Sequence, residues 1–330
     1  MKWLYGLLLL LTTNNNAIAA ACYLVRGTPT TITIPAQTIT IDADAPVSTD
    51  RPFAGINSVP ITARIGYNEC AHRTEYGRAL TYLANREISD QIYMTDVPGI
   101  GIKLLWTNGK TGYGTFPKRL EMIFPASSAS TTFDYEPGAA YRIEFYKVAE
   151  NLNLPAGKTI QLLPAGIVAY NYLFTPAPNN YSMRLNLGAL TLKSIPSCTL
   201  DSSKTIDFGR VTTNDLAQGV SRDLNFKINC RSDYQRFSTQ ASVTTKTMSS
   251  DRQSIKVTDS AGKDDRLRIK IYDSSHSLLW VDGSRSETIN NIATKGDANF
   301  SWQAVLSPGV NSPPASGPFT AYAEIQFRIE

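Results

Sequence analysis

The sequence is poor in the side chains that most often carry chemistry. Its 330 residues include two histidines, His72 and His276, and four well-separated cysteines, which argues against a metal site. Serine-hydrolase, metalloprotease and phosphate-loop motifs are also missing, so nothing indicates catalysis or a cofactor. Carboxylate pairs that hydrolyse glycosides form only in space, which leaves a secreted carbohydrate-active enzyme open as a distant alternative.

Charge and long apolar runs are scarce as well. The net charge is +4 and the basic residues are dispersed, which argues against nucleic acid as a partner. Beyond residue 11 there is no run of about 18 apolar residues, so no membrane-spanning helix is predicted. The apolar run 4–11 follows Lys2 and precedes the Ala-Ile-Ala triplet 17–19. This arrangement predicts a secretory signal peptide over residues 1–19.

The cysteines are expected to form two disulfides, because an exported chain folds in an oxidising compartment. Three pairings are possible. The local pairing, Cys22–Cys70 with Cys198–Cys230, is favoured because the two pairs lie in different halves of the chain. In the loop-entropy model each bond would stabilise the fold by roughly 4 kcal/mol.

The rest of the chain consists of short strand-like runs separated by glycine, proline, asparagine and serine. Apolar and polar residues alternate at 31–41, where Pro35 suggests an edge or a bulge, and at 224–230. Residues 73–85 suggest a helical turn or two. Regularly spaced strands predict an all-β protein made of β-sandwiches. About 310 residues after the signal peptide indicate two domains, joined by a polar, proline-bearing linker at 193–197.

The end of the chain, 319–330, alternates regularly between apolar and polar residues. A period of two places the apolar residues on one face of a terminal β-strand. The strand is either an ordinary member of a sandwich or an edge strand offered to another protein. The residues expected to matter for such an interaction are Phe319, Ile325, Phe327, Ile329 and Glu330.

The second half resembles the pilin subunits of chaperone–usher fimbriae. The resemblance rests on Cys198 and Cys230, with the run I-D-F-G-R-V at 206–211 between them. Gly317, fourteen residues from the end, and the alternating terminal strand match as well. Such subunits usually have a penultimate tyrosine, where this chain has Ile329. The first half is similar in layout to the receptor-binding domain of two-domain fimbrial tip adhesins, such as that of type 1 fimbriae.

The resemblance implies a lectin-like receptor-binding domain over 20–192 and an incomplete immunoglobulin-like pilin domain over 198–330. A pilin domain lacks its last strand, so a hydrophobic groove stays open. A periplasmic chaperone fills this groove with its own strand. At the outer-membrane usher, the N-terminal extension of the adjacent subunit replaces the chaperone strand.

The terminal strand has a definite role in this scheme. Its apolar residues Phe319, Ile325, Phe327 and Ile329 would face the chaperone or the donated strand, and the carboxylate of Glu330 would anchor in the chaperone's basic cleft. Because a second domain precedes the pilin domain through a short linker, the chain has no donor extension of its own. The resemblance therefore implies export through the periplasm to the extracellular tip of a fimbrium.

Receptor contacts are expected where aromatic rings stand beside amide side chains, because rings stack on sugars and amides bond to hydroxyl groups. Two segments placed in loops have this composition. They are Trp106, Asn108 and Tyr113 in the first, and Tyr170, Asn171 and Tyr172 in the second. Each also has a structural interpretation, with Trp106 in the core and Asn108 in a hairpin turn. Mannose-specific relatives carry Gln-x-Asn where this chain has Tyr170-Asn171-Tyr172, so mannose is not the expected ligand.

Three functions follow from these observations. The first is a tip adhesin that binds a surface glycan or protein receptor without chemistry. The second is a minor structural or adaptor subunit without receptor binding, and the third is the secreted enzyme. The long N-terminal half favours the first. The expected partners are the chaperone, the usher, an adjacent subunit and a receptor.

Overall fold

The computed structural model describes residues 22–125, 128, 130–311 and 313–329. The predicted signal peptide, 1–19, and Glu330 lie outside the described residues. Nearly all regular structure is β-strand, which confirms the predicted all-β fold. The described part contains no helix that is long and apolar enough to cross a membrane.

The N-terminal domain comprises strands β1 to β17. Their bounds are β1 Tyr23–Arg26, β2 Thr30–Ile34, β3 Gln37–Asp42, β4 Ala54–Asn57, β5 Ile65–Cys70, β6 Glu75–Leu80, β7 Glu87–Ser89, β8 Ile92–Met94, β9 Ile100–Asn108, β10 Gly114–Thr115, β11 Lys118–Glu121, β12 Thr131–Tyr135, β13 Ala139–Lys147, β14 Ile160–Leu163, β15 Gly166–Leu173, β16 Met183–Leu187 and β17 Leu190–Ile195. The larger sheets have the orders β4-β13-β9-β8-β7, with β10 beside β9, and β11-β6-β15-β16-β2. The smaller ones are β1-β5-β12 and β14-β17-β3.

Two local predictions change in this domain. Residues 31–41 form two strands in different sheets, separated at Pro35, and both strands lie at sheet edges as the proline suggested. The helical turn predicted over 73–85 is wrong. Residues Glu75–Leu80 form β6, because β11 and β15 bond to its backbone from both sides and outweigh local propensity.

The C-terminal domain comprises β18 to β26 and one short helix. Their bounds are β18 Ser197–Leu200, α1 Thr213–Gln218, β19 Val220–Arg231, β20 Arg236–Thr244, β21 Ile255–Val257, β22 Leu267–Tyr272, β23 Leu278–Leu279, β24 Asp282–Ala293, β25 Asp297–Pro308 and β26 Glu324–Ile329. One sheet has the order β18-β19-β25-β22-β21, with β23 beside β22, and the other has the order β24-β20-β26. The helix was not predicted, although Thr212 and Asp215 form a capping box at its start.

Both expected disulfides are formed. Cys22 is bonded to Cys70, and Cys198 is bonded to Cys230. Cys198 in β18 lies directly opposite Cys230 in β19. The second bond therefore ties the short edge strand to the long strand beside it.

The two domains meet at a buried ion pair. Lys147 Nζ lies 3.1 Å from Asp233 Oδ1, and the two side chains are 0% and 1% exposed. Lys147 also donates to the carbonyl of Ala43 at 2.8 Å, and Asp233 accepts from the hydroxyl of Ser194 at 2.8 Å. The segment 193–197, predicted as a linker, lies mostly in β17 and β18. The division at that segment stays a prediction.

Candidate functional site

The terminal strand is shorter than the sequence predicted. β26 begins at Glu324, whereas the alternation starts at Phe319. The intervening residues lead from the sheet that contains β21 to the sheet that contains β26. Thr320 exchanges two backbone hydrogen bonds with Thr258, which follows β21, at 3.0 and 2.9 Å. Thr245 further binds the carbonyl of Tyr322 through its hydroxyl, at 2.7 Å. The residues 319–323 are therefore held in place without belonging to the strand.

β26 is an edge strand. It pairs with β20 along one side, and in the described part of the chain no strand pairs with its other side. Ile325, Phe327 and Ile329 are half-buried, while the alternating Glu324, Gln326 and Arg328 are exposed. The apolar face of β26 therefore points towards the interior of the domain but is only partly covered.

An open apolar groove runs alongside β26, with a volume of about 740 Å³. One wall is formed by residues 319–325 and Phe327, and the other by residues 200–206 and Phe208. The floor consists of core side chains from four strands. These are Leu224, Phe226, Val243, Ile255, Ile269 and Ile271.

The groove exists because β18 ends early. β18 pairs with β19 only as far as Leu200, opposite Ile228. Among the described residues, the rest of β19 up to Val220 has a strand partner only in β25. Beyond Leu200, the wall opposite β26 has no regular structure. Arg222 of β19 holds it by donating to the carbonyls of Asp207 and Phe208, at 3.3 and 3.0 Å.

Aromatic rings define the depth of the groove and one end of it. Phe327 makes edge contacts with Phe226 and Phe300, with ring centroids 5.8 and 6.0 Å apart. Phe208 and Phe319 approach from opposite walls, with ring centroids 6.4 Å apart. These rings anchor the walls to the core, so the groove is a preformed feature of the fold.

The residues predicted for chaperone or donor-strand contact come together here. Phe319, Ile325 and Phe327 line the groove, and Ile329 lies on the same face of β26. What occupies the groove stays a prediction. No local pattern marks the floor as a groove, because its residues come from strands that meet only in the folded domain.

The first predicted receptor segment forms a hairpin between β9 and β10. Trp106 pairs with Gly114 across the two strands. Asn108 Oδ1 accepts hydrogen bonds from the backbone of Lys110 and Thr111, each at 3.0 Å, so Asn108 holds the turn. Tyr113 is 44% exposed. Of the predicted residues in this hairpin, Tyr113 is the most accessible.

The second predicted receptor segment lies inside a strand, not in a loop. Tyr170, Asn171 and Tyr172 belong to β15 and are each at most 4% exposed. Asn171 Oδ1 accepts a hydrogen bond from the hydroxyl of Tyr141 at 2.6 Å, and Tyr172 donates to Glu75 at 2.9 Å. Burial, together with the bond to Glu75, raises the pKa of Tyr172 to about 12. The polar atoms of Asn171 and Tyr172 therefore form hydrogen bonds within the domain and are not exposed to a ligand.

The part of the chain that contains the groove matches a known family. Residues 187–330 match the family model of fimbrial proteins. This match confirms the predicted resemblance of the second half of the chain to fimbrial subunits. A comparison with the sequences of curated proteins gives no match.

Solved fimbrial structures are similar to this chain at low identity. The receptor-binding domain of the adhesin MrkD1P of Klebsiella pneumoniae is 16% identical, with a TM-score of 0.39, and covers 55% of this chain and 98% of its own. The CupB6 tip adhesin of Pseudomonas aeruginosa is 13% identical, with a TM-score of 0.36, and covers 94% of this chain and 95% of its own. A chain of the chaperone–tip adhesion subunit complex CsuC–CsuE of Acinetobacter baumannii is 11% identical, with a TM-score of 0.38, and covers 93% of this chain and 99% of its own. All three TM-scores lie below 0.5, so no residue role is transferred from these proteins.

Proposed function

We propose that the chain is a two-domain tip adhesin of chaperone–usher fimbriae. The observation that carries this proposal is the open groove beside the unpaired edge of β26, in a domain of the fimbrial family. The N-terminal domain binds a surface glycan or protein receptor, and the C-terminal domain attaches it to the fimbrium. Adhesion of this kind requires no catalysis.

The groove needs an extended strand as its occupant. Backbone N–H and C=O groups along the free side of β26 can pair with an added strand, which gives affinity. Every second side chain of that strand would then reach the floor, which gives register. Ile325 and Phe327 line the groove and are only half-buried without such a strand. The open groove is also an aggregation hazard, so a chaperone strand is needed until another subunit donates one.

The first test is soluble yield in a Gram-negative periplasm, with and without a co-expressed fimbrial chaperone. The intact chain should be soluble as a chaperone complex, and a chain truncated before Phe319 should not be captured. An intact chain that is soluble, monomeric and thermally stable alone would mean that the sandwich is complete. The proposal would then fall, and an assay for glycan turnover would follow.

A matched pair of substitutions tests the groove face itself. Ile325→Asp places a charge in the groove, whereas Gln326→Asp places the same charge on the opposite, exposed face of β26. We expect Ile325→Asp to abolish capture by the chaperone, because an unpaired carboxylate in an apolar site is strongly unfavourable. Gln326→Asp should be captured like the unchanged chain. Equal capture of both variants would contradict an occupant that fills the groove.

A further inference from the structure

Arg78 lies among aromatic rings of the N-terminal domain. Its guanidinium carbon is 5.5 Å from the centroid of the Trp106 ring and 5.7 Å from that of Phe116. The buried tyrosines Tyr135 and Tyr141 are close enough to interact with its charge. Burial lowers the pKa of Arg78, but a guanidinium remains a cation at neutral pH.

This cation has no acceptor among the residues that the structure describes. Arg64, Arg86 and Arg142 each meet a carboxylate in the same domain, at 2.7 to 2.9 Å. Arg78 has ring contacts and no ion pair or hydrogen bond within the described ranges. Rings stabilise a cation but leave most of its N–H donors unbonded. Because a partly buried charge without a partner is unfavourable, an acceptor that the described residues do not supply would stabilise Arg78.

The neighbouring hairpin leaves room at the guanidinium. A Cβ atom at Gly114 would lie 2.6 Å from Nη1 and 2.8 Å from Nη2 of Arg78, so glycine is needed for this position of the side chain. Gly112 has open space around it, and Tyr113 between them is exposed. Trp106 Nε1 is a further buried N–H group without a partner in the described structure. The exposed ring of Tyr113 therefore belongs to the residue next to Gly114, which lies against the guanidinium of Arg78.

We propose that Arg78 and the hairpin 108–114 form the receptor site of the N-terminal domain, and that the ligand is a glycan with an anionic group. The proposal rests on the proposed function, in which this domain binds a receptor. The guanidinium pairs with two oxygens of a carboxylate or sulfate group, while Tyr113 stacks on the C–H surface of the sugar. A neutral glycan leaves the cation without an acceptor, which gives selectivity for acidic glycans.

The test is a glycan array that presents sialylated, uronic-acid-containing and sulfated glycans beside their neutral parents. The full mature chain is applied in its soluble form, either alone or bound to a chaperone. The glycan-binding result therefore does not depend on whether the chain needs a chaperone. We expect binding to anionic glycans that weakens as salt rises. Binding to the sialylated and uronic-acid-containing glycans would identify a carboxylate as the anionic group, and binding to the sulfated glycans would identify a sulfate. Equal binding to the neutral parents, or no binding to any glycan, would overturn the proposal.

Substitutions assign the binding to Arg78. Arg78→Gln should weaken binding at least about tenfold, since it removes a charge-assisted bidentate contact. The matched control is Arg184→Gln, because Arg184 also stacks on a ring, that of Tyr181 at 4.2 Å, and the net charge changes equally. The control should bind like the unchanged chain.

Gly114→Ala provides a second variant that keeps the charge. The three atoms nearest to its methyl group all belong to the flexible end of Arg78, so this side chain has to move. Binding should therefore weaken, while the thermal midpoint stays close to that of the unchanged chain. If Arg78→Gln does not fold, this variant decides the question. Unchanged binding by a folded Arg78→Gln or Gly114→Ala variant, or an equal loss in Arg184→Gln, would show that the guanidinium does not hold the ligand.

Discussion

Asp259 holds the loop that leads into the terminal strand. Its Oδ1 accepts hydrogen bonds from the backbone N–H groups of Ala261 and Lys263, each at 3.0 Å, and its Oδ2 accepts one from that of Ala315, at 3.0 Å. The bond from Ala315 and then that from Lys263 are the main causes that lower the pKa of the Asp259 carboxyl. One side chain thus fixes the start of the groove wall that ends in β26.

Asp259 should make stability depend on pH in an acidic window. A lowered pKa favours folding above the ordinary value of 3.8, and this contribution is lost as pH falls through the folded-state pKa. We therefore expect Asp259→Asn to lower the thermal midpoint at pH 7, and the difference from the unchanged chain to shrink below pH 3.8. Thermal unfolding at a series of pH values measures this.

The control for this substitution is Asp264→Asn. Asp264 is 49% exposed and forms a surface ion pair with Lys256 at 3.4 Å. Its loss should cost little at pH 7, because such pairs contribute less than about 1 kcal/mol. A midpoint difference for Asp259→Asn that stays constant between pH 7 and pH 2 would contradict the assignment.

At the scale of one element, β6 is shaped by a glycine. A Cβ atom at Gly77 would lie 2.2 Å from the carbonyl oxygen of Lys118 in β11 and 2.8 Å from the hydroxyl of Tyr172 in β15. Both neighbours of β6 therefore approach through the space that a side chain would occupy. A glycine inside a strand is a known sign of such close approach.

Gly77→Ala is expected to destabilise the N-terminal domain by about 1–3 kcal/mol, because a backbone oxygen has to move. The control is Gly112→Ala, where the added Cβ meets nothing within 4 Å, and the expected change is within about 0.5 kcal/mol. Denaturant unfolding of both variants gives the two values. Equal stabilities would mean that β11 shifts without cost.

The face of the terminal strand could be predicted from sequence, and its length could not. A period of two is a local property, so Ile325, Phe327 and Ile329 were placed together correctly. The start at Glu324 depends on the backbone bonds between Thr320 and Thr258, and Thr258 directly follows β21 of the other sheet. Alternation cannot report which strand pairs with which.

The candidate receptor site shows the same limit. Aromatic and amide composition predicts ligand contact at Tyr170 and Tyr172, but β15 has neighbours on both sides, and these rings are buried. Arg78 was missed because its segment suggested a helical turn, and because its ring partners lie more than twenty residues away along the chain. Nothing in the local pattern marks a cation without an acceptor.

At the scale of the whole molecule, the joint between the domains contains a buried charged pair, Lys147 with Asp233. Lys147 ends β13 in the N-terminal domain, and Asp233 lies in the turn between β19 and β20. Around the pair, Tyr234 donates to the carbonyl of Ser194 at 2.7 Å and the N–H of Leu154 donates to the carbonyl of Asp233 at 2.9 Å. Such a buried network, fully bonded, favours one relative orientation of the domains.

Removing one partner of this pair should be costly and should loosen the joint. Lys147→Met leaves the Asp233 carboxylate buried without its cation, with an expected loss of about 3–5 kcal/mol in the free energy of unfolding. Lys227→Met is the control, because its pair with Asp297 is half-exposed and contributes less than about 1 kcal/mol. The double variant Lys147→Met with Asp233→Leu should recover most of the loss, since no charge is then left unpaired. Denaturant unfolding measures the three variants, and protease cleavage near Pro196 reports the joint. Equal losses in Lys147→Met and Lys227→Met would mean that packing, and not the ion pair, joins the two domains.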